Sequence, residues 1–529
     1  MQRRVRGAAA LLLLGLARAA SAQSPDASDW GHVGGDPGGQ YYSHLNQITR
    51  DNVTKLERAW TFHAGEPLAG GSAPVLGFGL LYFVTPSGVL IALEPATGKE
   101  RWRFARARAT PQPGRRPRTL AIWQQDENGT LAPSPTALIC NRRAFLPMQQ
   151  HLMVLDASTG QPCEGFNDGI AVEGEVASLV LHRGLVITLL TGGALRAFDA
   201  STGAPRWALD LHSLAAGADG LDTHGQLSLD AALGLVFVPG ASQLAVDTST
   251  GKPAWLLRAN AGETAQPAAQ IALVALNTPA GPLPAVVQPT PAGELRLLHR
   301  DRGTSIGRTS LLLLARGNYS HEDAWGITLL DRALCARRIT KLARASSVNP
   351  TNVAIDMDRN RMIVALNDLP VRLAPLLIGA QKAHEEPMLS IFGMPCVRPP
   401  WGSLMSVDLQ KHSVVWQIPL GTSGELLPAF LPTRNFGSPN SGGPMVTAGG
   451  LIFVAATPDR YLRAFDVDTG KNLWQSTLPA AGNSTPISYR AGSDQRQYVV
   501  VTAGGNPAQG NAASDQMLAF ALPRTLPGR

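Results

Sequence analysis

Apolar residues along this chain gather in short runs that end on an acid, pass through a few small residues and Thr-Gly, and resume at a tryptophan. The copies read ALEPATGKERW (92–102), AFDASTGAPRW (197–207), AVDTSTGKPAW (245–255), SVDLQKHSVVW (406–416) and AFDVDTGKNLW (464–474). In each the acid precedes the tryptophan by eight residues, at Glu94/Trp102, Asp199/Trp207, Asp247/Trp255, Asp408/Trp416 and Asp466/Trp474. A run ending on an acid, a turn in which Gly takes positive φ, and a second run opening at Trp predict strand, turn, strand. Their recurrence predicts a repeat architecture.

A single four-stranded unit cannot cover both of its faces. Arranged around an axis, neighbours cover one another, and a tryptophan beside each turn docks on the next unit, contributing ~2–3 kcal/mol by area burial. These tryptophans are therefore read as structural. The interval between copies, roughly 50–60 residues, is one four-stranded blade with its loops. Two eroded copies fill the gaps, VLDASTGQPCE (154–164) and LLHRDRGT (297–304). LERAW (56–60) supplies a strand that closes the ring against YVVVTAGG (498–505) and MLAFALP (517–523). The expectation is an all-β, eight-bladed β-propeller with tryptophan-docking repeats, filling residues 23–529 as one domain.

Composition agrees with short buried strands and many tight turns: 54 Gly, 40 Pro, 44% hydrophobic and only 16% charged residues. Residues 1–22 carry Arg3, Arg4 and Arg6, an apolar run too short for a bilayer anchor, and Ala20-Ser21-Ala22, the order of a secretory signal. A periplasmic or secreted protein, soluble after removal of that segment, is expected. The formal charge of +7 falls to +3 when Arg3, Arg4, Arg6 and Arg18 leave, so nucleic-acid binding has no support. GRRPR (114–118) and CARR (335–338) are read as solvated loop surface. Cys140, Cys163, Cys335 and Cys396 admit three connectivities in an oxidising compartment; Cys140 with Cys163 and Cys335 with Cys396 is the expected one. The histidines form no H-x-H or H-x-x-x-H pair, so zinc has no sequence support.

The start, DWGHVGGDPGGQYYSHLNQIT (29–49), and the end, GGPMVTAGGLIFVAATPDRYLRAFDVDTGKNLWQSTLPAAGNSTPISY (442–489), resemble the pyrroloquinoline-quinone-dependent dehydrogenases, in particular the membrane-type glucose, quinate and shikimate enzymes. CNRRAFLP (140–147), DAWGITLLDRALC (323–335) and MPCVRPPWGSLMSVDL (394–409) extend the likeness, and the four cysteines fall where that subgroup has its own. The resemblance implies an eight-bladed propeller with pyrroloquinoline quinone over the channel, held by calcium or magnesium. It implies a carboxylate that takes the alcohol proton, a hydride passed to the quinone cofactor, and electrons sent on to a membrane quinone. The substrate would be a small alcohol or sugar.

The residues depart from that pattern at the chemistry. Thr264 falls on the family's catalytic aspartate, with Glu263 adjacent as the candidate base, and Pro291 falls on the family lysine. Trp123 falls on a family histidine, Gly71 on an acid, and Pro350-Thr351-Asn352 on a Trp-Gly-Gly stretch. Asp459 matches a family position near the substrate. His224 falls on a family tryptophan, and Trp325 and Trp401 match tryptophans that precede glycine, which makes these three the candidates for cofactor contact. Two readings stay open: a dehydrogenase with an altered catalytic set, and a non-catalytic propeller serving as a periplasmic binding or assembly module.

Overall fold

The computed structural model describes residues 30–68, 73–105, 120–124, 140–148, 150–166, 168–214, 221–223, 225–258, 270–290, 294–310, 321–342, 353–367, 371–373, 385–422, 435–482, 484–505 and 512–524. Among the described residues the repeats build eight blades of four antiparallel strands, the seventh extended by a fifth, parallel strand at Tyr42–Ser43. Blades one to seven run in chain order, their first and last strands being Val75–Gly77 and Glu100–Phe104, Ala121–Gln124 and Ile170–Ala171, Val176–His182 and Pro205–Asp210, Ser228–Asp230 and Pro253–Leu257, Ala272–Thr278 and Ser305–Ser310, Val353–Asp356 and Ser413–Pro419, and Met445–Thr447 and Asn472–Thr477. Blade eight joins the two ends of the chain: Ile487–Ala491, Arg496–Ala503 and Gln516–Ala521 are completed by Glu57–His63, which pairs with Gln516–Ala521 from Glu57/Ala521 to His63/Gln516. The strand expected at LERAW thus closes the ring and covers an edge that would otherwise be open.

The repeat's acid has a job beyond ending a strand. Oδ1 of Asp156, Asp199, Asp247, Asp408 and Asp466 accepts hydrogen bonds from the backbone amides two and three residues on, which holds the turn shut. The glycine that follows takes positive φ, 70° at Gly251 and 71° at Gly470. Its bare Cα receives the tryptophan of the preceding blade. A Cβ on Gly98, Gly160, Gly251, Gly303 or Gly470 would fall 2.4–2.9 Å from Trp60, Trp102, Trp207, Trp255 or Trp416 respectively. Four of these indoles also donate Nε1 to a carbonyl of the same turn region: Trp60 to Pro95, Trp207 to Thr248, Trp255 to Arg300 and Trp416 to Val467.

Eroded copies are repaired locally. Blade two has Glu164 where the repeat has its docking tryptophan, and Phe166 meets Gly203 of blade three instead. Beside it the guanidinium of Arg143 lies 5.1 Å from the Phe166 ring and 5.4 Å from that of Trp123, and donates to Cys140 O, Ala200 O and Ser201 O. Trp123 is thus part of a blade-to-blade contact. Cys140–Cys163 and Cys335–Cys396 are both paired as expected.

Before the first blade, the chain crosses the ring and bonds to several inner strands: Trp30 O receives Leu76 N, Pro37 O receives Leu229 N, Gly38 O receives Leu273 N, and Gln40 O receives Ile355 N. Tyr42–Ser43 then lies parallel to Met445–Thr447. Among the described residues two larger elements have no counterpart in the repeat pattern: the two-stranded ribbon of Val371–Leu373 and Glu385–Pro387, and the α-helix α1 (Leu329–Leu342), tied to residue 396 by the second disulfide. The helix corrects the reading of CARR as loop, for these residues are helical. Among the described residues no helix is long and apolar enough to cross a membrane.

Candidate functional site

One end of the ring carries the connections between the second and third strands of each blade, and the chain passes from blade to blade there. Asp459 stands on that end, between Leu451–Val454 and Tyr461–Asp466. It is buried, and all its acceptor positions are engaged. Thr422 donates its amide (2.8 Å) and hydroxyl (3.0 Å) to Oδ2, Thr457 donates its hydroxyl to Oδ1 (2.6 Å), and Arg463 donates to both oxygens. Burial alone would raise its pKa. The bonds and charge of Arg463, with Thr457 and the Thr422 amide, outweigh burial and hold the carboxyl below its ordinary range. At neutral pH Asp459 is an ionised, fully occupied anchor rather than a free base. The sequence clue to this pairing is Arg463 itself, a cation inside the apolar run YLRAFD that burial obliges to find a carboxylate.

Next to this pair, the side chain of Asn367 brackets the backbone of Asn440: Asn440 N donates to Asn367 Oδ1 and Asn367 Nδ2 to Asn440 O, each at 2.8 Å, while Asn440 Nδ2 donates to Leu366 O at 3.0 Å. They lock the end of the second strand of blade six to the segment that enters blade seven. Ser438 Oγ and Asn440 Oδ1 are buried without a hydrogen-bond partner among the described residues. The backbone here is crowded, since a Cβ on Gly402 would fall 1.9 Å from Ser438 O.

Trp325 and Trp401 are brought together, with ring centroids 5.4 Å apart and Phe436 edge-on to both at 6.0 and 5.8 Å. Trp401 is wholly buried and donates Nε1 to Val397 O at 2.8 Å, whereas Trp325 keeps an accessible edge. The triad packs on Cys335 and Cys396 and is not in the hydrogen-bond network of Asp459. Glu263, Thr264, His224, Pro291, Gly71 and Pro350-Thr351-Asn352 lie outside the described residues.

These residues can be tested against a quinone cofactor bearing several carboxylates and a divalent cation. Among the described residues there is no group of three His, Cys, Asp or Glu able to hold a metal. The carboxylate of this network, Asp459, is spent on Arg463. The orphaned Ser438 Oγ and Asn440 Oδ1 and the edge of Trp325 are polar and aromatic contacts, and by themselves they do not make such a site.

An eight-bladed propeller closed by its two chain ends, with a polar network on one face, is the class that the geometry defines. The family model of the β-propeller domain of glucose, ethanol and alcohol dehydrogenases matches residues 30–188 and 378–499, and a model of the outer membrane protein assembly factor BamB matches residues 117–361. The chain belongs to the pyrroloquinoline-quinone-dependent dehydrogenase family. It is 27% identical to the quinoprotein glucose dehydrogenase of Escherichia coli, covering 95% of this chain and 80% of that one. It is 27% identical to the quinate/shikimate dehydrogenase (quinone) of Acinetobacter baylyi (93% and 79%) and 26% identical to the glycerol dehydrogenase large subunit of Gluconobacter oxydans (94% and 86%). A europium-containing methanol dehydrogenase shares the fold, with TM-score 0.65, 18% identity, and coverage of 94% of this chain and 98% of that one.

Proposed function

We propose that this chain is an exported, periplasmic dehydrogenase that binds pyrroloquinoline quinone with calcium or magnesium, oxidises the CH–OH group of a sugar, polyol or cyclic alcohol, and passes the electrons to a membrane quinone. The observation that carries this reading is the family match over residues 378–499, which takes in Asp459, Arg463, Thr457, Ser438 and Asn440. Relatives named for glucose, quinate or shikimate, and glycerol support this substrate class. The cofactor supplies a two-electron acceptor. The chain must supply the base, and with Asp459 held by Arg463 the remaining candidate is Glu263, beside Thr264; a threonine hydroxyl does not accept a proton at neutral pH. Thr264 and Pro291, where the family carries charge, favour the second reading, a non-catalytic periplasmic binding or assembly module.

Titrating the purified protein with pyrroloquinoline quinone plus calcium or magnesium separates the two. Cation-dependent binding with a raised melting temperature, followed by dye reduction that Glu263→Gln abolishes, supports the enzyme. Absence of binding at high cofactor concentration supports the module.

A further inference from the structure

The large aliphatic side chains exposed among the described residues are Leu233, Leu329, Leu330, Ile391 and Val415. Three of the five meet at one place. Leu329 (87% exposed) and Leu330 (65%) open α1, and Ile391 (52%) is held beside them because its amide donates to Oδ1 of Asp331, the next helical residue, at 3.2 Å. Asp331 is buried and also accepts from Ile327 N, so the leucines sit on a fixed first turn rather than a fraying one. Cys335–Cys396 staples the helix to the Ile391 loop, and Arg338 donates to Leu389 O.

Burial divides the helix into two faces. Asp331, Cys335 and Ile339 turn inward, while Leu329, Leu330, Arg332, Ala333, Arg337 and Arg338 turn outward. The outward face therefore runs from apolar to cationic along the helix. Arg398, exposed just past the disulfide, adds a fourth cation, against Glu322 and Asp323 in the preceding turn. Bare leucines rimmed by arginines are out of place on a surface that meets only water, and they match the layered chemistry of a bilayer interface. The Trp325–Trp401–Phe436 triad beneath this tip leads into the strand Gly402–Asp408, which places the tip on the same end of the ring as Asp459.

We propose that the first turn of α1 and the Ile391 loop form an interfacial anchor that seats this end of the propeller on an anionic lipid surface. Leu329, Leu330 and Ile391 enter the headgroup layer, and Arg332, Arg337, Arg338 and Arg398 face lipid phosphates. The inference deepens the membrane-quinone reading, on which it rests for its purpose, but its test needs neither cofactor nor turnover.

The test is sedimentation of the purified protein with vesicles of phosphatidylcholine, with and without phosphatidylglycerol. Binding is expected only with phosphatidylglycerol and is expected to fall as salt rises. Leu329→Ser/Leu330→Ser should lower partitioning by about tenfold or more. Arg337→Gln and Arg338→Gln should each lower it by about fivefold. The melting temperature of the double serine variant should not change, since both leucines are exposed. No binding to phosphatidylglycerol vesicles, equal binding to uncharged ones, or unaltered binding of the double serine variant overturns the proposal. So does a dimer, seen by light scattering, that the double serine variant abolishes without any vesicle binding by the parent. Cofactor titration can fail while vesicle binding succeeds, and the reverse, so the two readings fall separately.

Discussion

His412 lies against Gly307 at the junction of blades five and six, so closely that a Cβ on Gly307 would fall 1.9 Å from His412 Cε1. Counted from the residue that opens each turn, Gly307 stands eight after His299, the place tryptophan holds elsewhere. His412 stands four after Asp408, the place of the turn glycine. The ring and the gap have changed sides. His412 accepts φ of 54° to reach across, a conformation the glycine of the other turns adopts without strain. Gly307→Trp alone should overpack this junction and cost about 2–3 kcal/mol, and His412→Gly alone should leave a void. The double variant restores the arrangement of the other junctions and should recover to within about 1 kcal/mol of the parent. Urea midpoints measure the coupling, and additive losses would show that the two positions do not exchange roles.

Turn glycines differ in what they tolerate. At Gly251, with φ of 70°, a methyl group meets Trp207 at 2.6 Å, whereas at Gly184, with φ of 75°, it meets nothing within 4 Å. Gly184→Ala should lose about 1 kcal/mol, from backbone strain alone. Gly251→Ala should lose about 2–4 kcal/mol because the indole must also move. Equal losses would mean that docking contributes nothing at this junction.

The Asp459–Arg463 pair is buried on both sides. Asp459→Asn leaves a guanidinium without its counter-charge and should cost about 3–5 kcal/mol, while Asp459→Asn/Arg463→Met should recover much of that loss. Because the folded carboxyl titrates below the unfolded one, its contribution is full above the ordinary carboxylate range and is lost as pH falls through the folded value. Acid unfolding of the parent should therefore steepen below about pH 4, and that of the double variant should not. Denaturant titrations at several pH values read the difference.

His32 and Asp36 line a cavity of about 30 Å³, bounded by Leu120, Leu179, Val180 and Leu227 and roomy enough for a water molecule or two. Burial lowers His32 to about 4. Burial raises Asp36 to about 6, against the amides of Gln40 and Gly38 that bond it. The pH slopes oppose one another. Between about pH 4 and 6 the folded chain keeps a proton on Asp36 that the unfolded chain has released, so this group loses stability as pH rises. Over nearly the same window the unfolded chain holds a proton on His32 that the folded chain lacks, so this group gains it. Each term is roughly 3 kcal/mol at full extent, and the parent should be nearly flat from pH 4 to 6. His32→Gln should become less stable with rising pH and Asp36→Asn more stable, as read by melting temperature across that range.

The blades were legible because the acid, the Thr-Gly and the tryptophan each meet a local need, turn closure, positive φ and cover for the neighbour, which must be written within eight residues of one another. Helix α1 was not, since it belongs to an insertion between blades whose inward residues Cys335 and Ile339 pack around a disulfide rather than on a repeat partner, while Leu329 and Leu330 turn outward. Asp459 was visible as a candidate and Arg463 stands four residues on in the same segment, but Thr422 comes from a separate segment joined only by folding. The swap of Gly307 and His412 was hidden for the opposite reason. Its two halves are about one hundred residues apart, and each alone resembles a repeat that has simply decayed.

The clasp of Glu57–His63 on Gln516–Ala521 sets a timetable for the molecule. A chain delivered amino end first presents the clasp's first half early and its second half almost last, and Ile48 N likewise waits for Gln497 Oε1, 449 residues away. Until then the nascent ring is a curved stack with one raw strand edge at each side, the form in which sheet proteins pair with strangers. Closure links contacts of the greatest sequence separation in the chain and is slow for that reason. Once made, it gives a molecule with no first or last blade, in which opening anywhere requires letting go of a neighbour on both sides.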